Sequence, residues 1–474
     1  MTVADVDGLA RAAQRSLQAL AADGPLPPGA VIAVAARGGT GLLAALLALR
    51  RAGLAALLLD GQAPPAEACR AAKALGASAV LRCPVAWPAQ AADWQAARLA
   101  LAGSEQALEL PGIAVVKLTS GTTGTPRGIA TTAAALAADD AALARTMGLR
   151  ADDRLVAAIP MSHSYGLSSL AMPALMRATP LVLPEDDGLV GPFTAAERLG
   201  ATVLPTVPAY LDALLRLSHA PARPPGLRLV LTAGAPLQAA TAAAFREVYG
   251  LPVHVFYGAS ECGGICYDRE GGAAERGTVG TPVEGVAVEL QPAASGSAGD
   301  DDAGPGGAVV VRSAAVADGY VPDSDPGLGR GRFVSGDLGL WRHGELVLVG
   351  RQDGLVNLKG RKVNPREVES VLAELPGVDE VAVLGVPLPG REGELLRAVV
   401  ACRPGGLTRD QVLGWCRDRL AAHKVPRSLI LVPEMPRTAR GKLDRAALLA
   451  LGGRGDLAAG SPVGDTGKPP RDGF

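Results

Sequence analysis

The chain has 474 residues, of which 48% are hydrophobic and 20% are charged, and its formal net charge is −1. This length predicts roughly two to four domains, and the near-neutral charge gives no indication of the basic surface typical of nucleic-acid-binding proteins. The sequence has no uninterrupted apolar run of about 18 residues, so it predicts no membrane span. Its six cysteines are dispersed and its start is acidic, so we expect a cytoplasmic protein without disulfides or a signal peptide.

The first half of the chain alternates apolar strands with alanine-rich helices, a rhythm typical of parallel sheets with helical crossovers. The predicted strands of this half are 31–36, 55–60, 79–81, 113–118, 154–159, 202–204, 227–232 and 253–257, and the first two helices are 41–51 and 66–75.

The pattern changes near residue 278, where short strands alternate with turn-rich segments, and again near residue 351. The later predicted strands are 286–290, 308–311, 346–349, 380–384, 396–401 and 429–432, with helices at 365–374 and 409–420. We therefore predict a large α/β N-terminal domain, 1–350, built from βαβ-type sheets and a β-rich subdomain over about 278–350. A small mobile α+β C-terminal domain, 351–451, and a disordered Gly/Pro/Asp-rich tail, 452–474, are expected to follow.

One stretch carries more functional information than the rest: Thr119-Ser-Gly-Thr-Thr-Gly-Thr-Pro-Arg-Gly128, directly after an apolar strand. Its glycines permit positive φ, and successive backbone N–H groups with hydroxyls can surround an anion. Arg127 adds a fixed positive charge. The composition predicts a loop that binds nucleotide phosphates, although a Gly/Thr-rich surface turn has the same local appearance.

Later segments carry side chains that suit the same nucleotide. Tyr257-Gly-Ala-Ser-Glu261 follows a predicted strand; its carboxylate is a hard oxygen ligand for Mg²⁺, and its ring offers a flat face to a purine. Gly234-Ala-Pro236 is a tight turn that a planar base could approach. Asp337, predicted at a strand end, suits ribose hydroxyls, and Lys442 lies in a Gly-Lys-Leu-Asp-Arg segment.

In this order and spacing, the segments resemble the adenylate-forming superfamily of acyl- and aryl-CoA synthetases, peptide-synthetase adenylation domains and luciferases. The resemblance covers about residues 31–448 and implies an enzyme that uses ATP and Mg²⁺ to convert a carboxylic acid into an acyl-adenylate. The ATP-binding residues that it implies are Thr119, Ser120, Gly121, Thr122, Thr123, Gly124, Arg127, Gly234, Ala235, Pro236, Tyr257, Gly258, Ser260, Asp337 and Arg351.

The resemblance also implies catalytic roles. Lys442 would contact the carboxylate and the α-phosphate, Glu261 would hold Mg²⁺, and His163 would form the gate between the ATP and acyl sites. Asp353 would be the hinge about which the C-terminal domain rotates between two half-reactions. The implied substrate pocket contains His163, Tyr165, Tyr210, Gly234 and Tyr257.

Each of these residues also has an ordinary structural interpretation. Lys442 could be a solvated surface lysine, Asp353 a turn residue, His163 a loop or core histidine and Tyr257 a core aromatic side chain. Cys262 and its neighbour Cys266 are better explained as small buried residues than as nucleophiles.

Three departures from the family pattern bear on activity and substrate. Arg127 stands where the family usually has lysine, and Gly354 stands where it often has a second acid. The segment Met161-Ser-His-Ser-Tyr165 lacks the aspartate with which amino-acid-activating relatives hold an ammonium group. An α-amino acid substrate is therefore disfavoured, and a small or medium acyl or aryl carboxylic acid is expected.

The acceptor of the activated acyl group is expected to be a thiol, most simply that of CoA. The alternative is an acyl-AMP ligase that loads the phosphopantetheine of an acyl carrier protein or a nitrogen nucleophile. A more remote alternative is a non-catalytic nucleotide-binding member, which the joint retention of Glu261, Asp337, Arg351 and Lys442 disfavours.

Overall fold

The structure is a computed structural model. It describes residues 3–19, 24–36, 39–61, 63, 65–83, 94–99, 107–120, 126–185, 188–292, 306–351, 356–358, 361–363, 365–388, 394–403, 405–436 and 445–451. None of the described helices is both long and apolar enough to cross a membrane.

The first sheet has seven strands: β1 (Val31–Ala36), β2 (Ala55–Asp60), β3 (Ala79–Arg82), β4 (Gln95–Arg98), β5 (Ile113–Ser120), β6 (Pro126–Thr132) and β16 (Gly319–Val321). Their order across the sheet is β16-β6-β5-β2-β1-β3-β4. The helices around it are α1 (Val3–Ala19), α2 (Gly39–Arg51), α3 (Pro65–Ala74) and α4 (Ala133–Thr146). Its four central strands run parallel, whereas β4, β6 and β16 pair antiparallel to their neighbours.

The second sheet also has seven strands: β7 (Leu155–Val156), β8 (Leu181–Val182), β9 (Val203–Thr206), β10 (Leu229–Thr232), β11 (Val253–Ala259), β12 (Gly263–Tyr267) and β13 (Thr281–Pro282). Their order across the sheet is β13-β12-β11-β10-β9-β7-β8. The helices are α5 (Ser164–Gly166), α6 (Met172–Arg177), α7 (Gly191–Leu199), α8 (Pro208–Leu215), α9 (Ala239–Tyr249) and α10 (Ala273–Arg276), with a π-helical turn over Leu167–Ala171.

A smaller sheet forms the predicted β-rich region. It contains β14 (Ala287–Pro292), β15 (Gly307–Arg312), β17 (Leu328–Gly329), β18 (Arg332–Arg342) and β19 (Glu345–Arg351). The strand order is β14-β15-β18-β17, and β19 also pairs with β18.

The C-terminal region has its own hydrophobic core. Its elements are β20 (Val356–Leu358), β21 (Arg361–Val363), α11 (Pro365–Ala373), β22 (Glu380–Pro387), β23 (Glu394–Ala401), α12 (Arg409–Arg419), β24 (Ser428–Val432) and α13 (Arg445–Ala450), with a 3₁₀ turn over Ala422–Lys424. Helices α11 and α12 pack on the sheet β22-β23-β24 around a separate buried cluster. The predicted fold class, a large α/β N-terminal part with several sheets and a separate α+β C-terminal part, is confirmed.

Continuous apolar runs explain why the central strands form where the sequence predicts them. Strands β1 and β2 are buried along almost their whole length, as strands covered by helices on both faces must be. The predicted strand at 154–159 is shorter than expected, because only Leu155 and Val156 pair with neighbours. The predicted disordered tail, 452–474, lies outside the described residues.

A partly buried ion-pair cluster joins the C-terminal region to the first sheet's helix layer. The Nζ of Lys424 lies 2.8 Å from Glu67 Oε1 of α3 and 2.7 Å from Glu367 Oε1 of α11. Burial alone would lower the pKa of Lys424, but Glu367 and Glu67 outweigh it and raise that pKa. Arg70 of α3 also donates to the Arg419 carbonyl at 2.7 Å. Two adjacent contacts thus link α3 to the C-terminal region.

The turn between β11 and β12 depends on a close approach to helix α4. Gly264 N–H donates to Asp139 Oδ1 at 2.9 Å, and Asp139 is buried. Gly263 has φ +69°, and a Cβ there would lie 2.2 Å from the same oxygen. Glycine is therefore needed at this position for backbone conformation and for space.

We expect Gly263→Ala to destabilise the N-terminal part strongly. The left-handed conformation costs a non-glycine residue roughly 1–2 kcal/mol, and overpacking against Asp139 adds about 1–3 kcal/mol. The measurement is the free energy of unfolding in urea, followed by circular dichroism. The matched control is Gly148→Ala, because Gly148 has φ +60° but a Cβ added there would have no neighbour within 4 Å. Equal destabilisation by the two substitutions would show that the approach to Asp139 imposes no constraint.

Candidate active site

The predicted phosphate loop connects two antiparallel strands. Strand β5 extends through Thr119 and Ser120, and β6 begins at Pro126, with Thr119 paired to Arg127 and Ser120 to Pro126. The ends of the predicted loop are therefore strand residues, which the sequence interpretation did not anticipate. The loop residues Gly121, Thr122, Thr123 and Gly124 lie outside the described residues.

Strand β11 and the turn after it bring several predicted residues together. Tyr257, Gly258 and Ala259 belong to the strand itself, with a register irregularity between Tyr257 and Gly258. The strand therefore extends two residues beyond its predicted end at Tyr257, into the segment that was predicted to follow it. The strand ends just before Ser260 and Glu261, which places both residues at the carboxyl end of β11.

The predicted ribose-binding carboxylate is held by two hydroxyl groups. Tyr257 OH donates to Asp337 Oδ2 at 2.7 Å, and Ser335 Oγ donates to the same oxygen at 3.1 Å. Burial, and next the nearby Asp337 carboxylate, raise the pKa of Tyr257 well above its usual value, so this phenol remains a donor. The contact joins the second sheet to the third and fixes the orientation of the carboxylate.

The position of Asp337 within its strand differs from the prediction. It lies in the middle of the eleven-residue strand β18, not at a strand end. Burial alternates along β18, so Ser335 and Asp337 share the buried face. The Cα of Asp337 is paired with that of Arg351 at the end of β19. The two residues implied in ribose binding are thus neighbours across a strand pair.

Glu261, the expected magnesium ligand, is half-buried and accepts a hydrogen bond from Tyr320. The Tyr320 OH lies 2.9 Å from Glu261 Oε1. Mg²⁺ in nucleotide sites takes one or two protein carboxylates and completes its coordination with phosphates and water. A single carboxylate that is oriented by Tyr320, on the strand beside β6, is compatible with such a site.

Two buried ionisable residues, Lys117 and Asp139, interact with the segment that carries this carboxylate. Lys117 of β5 is buried, and it interacts electrostatically with Asp139, Glu261 and Cys262. Burial lowers the pKa of Lys117 and raises the pKa of Asp139, while each partly offsets the effect on the other. The sequence analysis did not select either residue, although a lysine within an apolar strand and an acid within an alanine-rich helix were visible signals.

Arg127 does not extend into open solvent. Its guanidinium lies 4.1 Å from the centroid of the Tyr320 ring, and it contacts the Asp323 carbonyl at 3.3 Å and the Asp325 carboxylate at 3.7 Å. The side chain is therefore directed toward the segment after β16, and it is linked to Glu261 through Tyr320.

Two residues of the predicted acyl pocket, His163 and Tyr165, lie at the start of α5. His163 occupies the N-cap position, its side chain is 46% exposed, and its Nε2 lies 3.8 Å from Asp60 Oδ2 at the end of β2. Ser164 Oγ donates to Ser260 Oγ at 2.7 Å, which ties α5 to the segment that carries Glu261. The helix then passes into the π-helical turn, an irregularity that is frequent at functional sites.

Two tyrosines in this region differ in their hydrogen bonding. Tyr165 OH donates to the Leu231 carbonyl at 3.3 Å, and its ring packs on Phe256. The hydroxyl of Tyr210 is buried and has no partner among the described residues. Burial raises the pKa of both phenols. The turn Gly234–Pro236 follows β10 at the same edge of the second sheet, with Gly234 and Pro236 exposed.

Several predicted residues cannot be placed. The hinge residue Asp353, its neighbour Gly354 and the catalytic lysine Lys442 lie outside the described residues, as does the side chain of Arg351. Cys262 and Cys266 are buried and unbridged, as expected for small core residues. Burial raises the pKa of the Cys266 thiol to about 12.

Comparison with known proteins covers both parts of the chain. The family model described as AMP-binding enzyme matches residues 2–321, and the AMP-binding enzyme C-terminal domain matches residues 367–442. The sulfoacetate–CoA ligase of Cupriavidus necator is 30% identical over 350 residues, which cover 71% of this chain and 66% of that protein. The long-chain-fatty-acid–CoA ligase FadD13 of Mycobacterium tuberculosis is 30% identical over 372 residues, which cover 75% and 72%. The chain thus spans about two thirds of the length of the first of these relatives.

Similarity of structure extends over nearly the whole chain. The amide bond synthetase McbA from Marinactinospora thermotolerans superposes with a TM-score of 0.77 at 28% identity, covering 93% of this chain and 94% of that one. The family models, the relatives and the arrangement of the domains agree with one another. The chain belongs to the AMP-binding enzyme family of the adenylate-forming superfamily.

Proposed function

We propose that this protein activates a carboxylic acid with ATP and transfers the resulting acyl group to the thiol of CoA. The observation that carries the proposal is that β11 and the turn after it hold Tyr257, which is bonded to Asp337, and Glu261, which is bonded to Tyr320 on the strand beside β6. Two hydrogen bonds, from Tyr257 to Asp337 and from Tyr320 to Glu261, orient the two carboxylates. The CoA ligases among the relatives support the choice of acceptor.

The first half-reaction follows from the groups in the site. A substrate carboxylate oxygen attacks the α-phosphorus of ATP, the bond from that phosphorus to the bridging oxygen breaks, and pyrophosphate leaves. Asp337 would bind the ribose hydroxyls, and the turn at Gly234–Pro236 would approach the adenine. Such a transfer depends on positioning and on positive charge near the phosphoryl group, which Lys442 and the loop donors would supply.

Glu261 would hold Mg²⁺, which supplies positive charge to the phosphates when it is bound. In the second half-reaction the thiol attacks the acyl carbonyl, loses its proton, and AMP leaves. Rotation of the C-terminal domain about Asp353 would replace Lys442 by another face of that domain and exclude water from the reactive anhydride.

The amide bond synthetase McbA favours a second candidate function, transfer of the acyl group to a nitrogen nucleophile. The second candidate function would use the same adenylation step as the first, so the two functions differ only in the group that accepts the acyl group. A carrier-protein phosphopantetheine would provide the same thiol chemistry as CoA.

We expect Lys442→Ala to reduce carboxylate-dependent ATP–pyrophosphate exchange about a hundredfold or more, because a charge that stabilises the transferring phosphoryl group is lost. A panel of acyl and aryl acids identifies the substrate first. The matched control is Arg198→Ala on α7, which removes an exposed basic side chain that is not among the predicted site residues. Thioester formation from a presynthesised acyl-adenylate should be much less affected, and an equal loss in both assays would contradict the assignment of Lys442 to adenylation.

Asp337→Asn is expected to weaken ATP binding about tenfold, because hydrogen bonds from ribose hydroxyls to a charged acceptor are stronger than those to an amide. Isothermal titration calorimetry with ATP measures the effect. Binding of inorganic tripolyphosphate, which has no ribose, should not change. The matched control is the exposed Asp152→Asn, and unchanged ATP affinity in the Asp337 variant would contradict the ribose assignment.

The acceptor is tested by following AMP release with CoA, a phosphopantetheinylated carrier protein or a primary amine as the only acceptor. We expect the fastest release with CoA, with the acyl thioester as the product. Faster release with an amine, together with amide formation, would support the alternative function and exclude a CoA ligase.

A further inference from the structure

Tyr320 connects three parts of the proposed site. It lies on the edge strand β16, which docks antiparallel onto β6 with Tyr320 opposite Ile129. Its hydroxyl donates to Glu261 Oε1 at 2.9 Å, and its ring faces the guanidinium of Arg127 at 4.1 Å. A side chain from the first sheet thus contacts both the expected magnesium ligand of the second sheet and the basic residue that follows the phosphate loop.

The backbone around Tyr320 reinforces this connection. Ala317 N–H donates to the Glu261 carbonyl at 2.8 Å, and Asp318 N–H donates to the Ala130 carbonyl at 2.9 Å. The short segment 317–321 is therefore bonded to Glu261 on one side and to β6 on the other. Glu261 is held through both its backbone and its side chain.

The hydrogen bond has a fixed direction. The phenol of Tyr320 donates, because the Glu261 carboxylate has no proton and can only accept. Among the described residues, no donor bonds to the other carboxylate oxygen, Oε2. The tyrosine thus occupies one oxygen of Glu261, and the other oxygen remains available as a metal ligand.

The arginine at position 127 suits this arrangement better than a lysine would. A planar guanidinium can lie against an aromatic ring, whereas an ammonium group is a compact point charge. The Asp325 carboxylate and the Asp323 carbonyl contact two guanidinium nitrogens. Arg127 is therefore fixed on the face of the ring whose hydroxyl holds Glu261.

We propose that Tyr320 is a positioning residue that orients Glu261 for the divalent cation bound with ATP, and that Arg127 replaces lysine because it packs on Tyr320. This inference rests on the proposed function for the identity of the ligand. Residues that hold a metal ligand by hydrogen bonds typically change metal affinity by about 10- to 100-fold when they are removed.

The test uses the full chain and Mn²⁺ as a paramagnetic substitute for Mg²⁺. Free Mn²⁺ is measured by electron paramagnetic resonance in the presence of α,β-methylene-ATP, which cannot be cleaved at the α-phosphorus. We expect Tyr320→Phe, which keeps the ring but removes the hydroxyl, to weaken Mn²⁺ binding about tenfold. Arg127→Lys, which keeps the charge but loses the planar contact, should weaken it about threefold.

The matched control is Tyr249→Phe. The Tyr249 hydroxyl is buried in the core of the second sheet's helix layer and has no partner among the described residues. This variant should bind Mn²⁺ as the unmodified chain does. Binding of the analogue in EDTA reports the nucleotide site without metal and should be unchanged in all three variants, which separates a positioning role from general damage.

Three results would overturn the inference. The first is a Mn²⁺ affinity of Tyr320→Phe equal to that of the unmodified chain. The second is a loss of metal-free analogue binding in Tyr320→Phe as large as its loss of Mn²⁺ binding, and the third is the absence of Mn²⁺ binding by the unmodified chain. If Tyr320→Phe loses the native circular dichroism spectrum, Arg127→Lys decides alone. Failure of the proposed reaction can be told apart from failure of this inference. If no acid supports pyrophosphate exchange, the proposed reaction fails, but the difference in Mn²⁺ affinity between the unmodified chain and Tyr320→Phe can still be measured.

Discussion

The candidate site depends on one buried carboxylate, that of Asp139. It accepts the Gly264 N–H and lies against Gly263, so the turn that carries Glu261 is fixed to helix α4. An unpaired charge at this depth would be costly, and Lys117 lies near enough to interact with it. The same lysine belongs to β5, the strand that precedes the predicted phosphate loop. The buried pair Lys117 and Asp139 therefore links β5 to the turn that carries Glu261, the proposed metal ligand.

The functional groups come from different sheets and are joined at their edges. Tyr257 of the second sheet bonds to Asp337 of the third, and Tyr320 of the first bonds to Glu261 of the second. Each bond is short, and each connects a phenol with a carboxylate. The sheets thus support one another through the residues proposed to bind nucleotide and metal, so changes in sheet packing would alter the site directly.

The sequence predicts the parts of this structure whose signals are local. Continuous apolar runs identify β1 and β2, and motif spacing selects Tyr257, Glu261 and Asp337. The position of Asp337 inside β18 was missed because an alternating strand containing serine, glycine and aspartate lacks an apolar run. The Tyr320–Glu261 bond spans 59 residues and requires β16 to dock on β6, so no local pattern could reveal it.

The cluster around Lys424 has a kinetic consequence. The C-terminal domain is proposed above to rotate between the half-reactions. Lys424 and Glu367 of α11 would move together with that domain, whereas Glu67 of α3 would not. Each rotation away from the orientation seen in the structure must therefore break the ion pair between Lys424 and Glu67 and rehydrate both side chains. The lifetime of the orientation is then set partly by a helix that contacts no substrate. Turnover could accordingly be tuned by changes on α3, with the chemistry of the nucleotide site left intact.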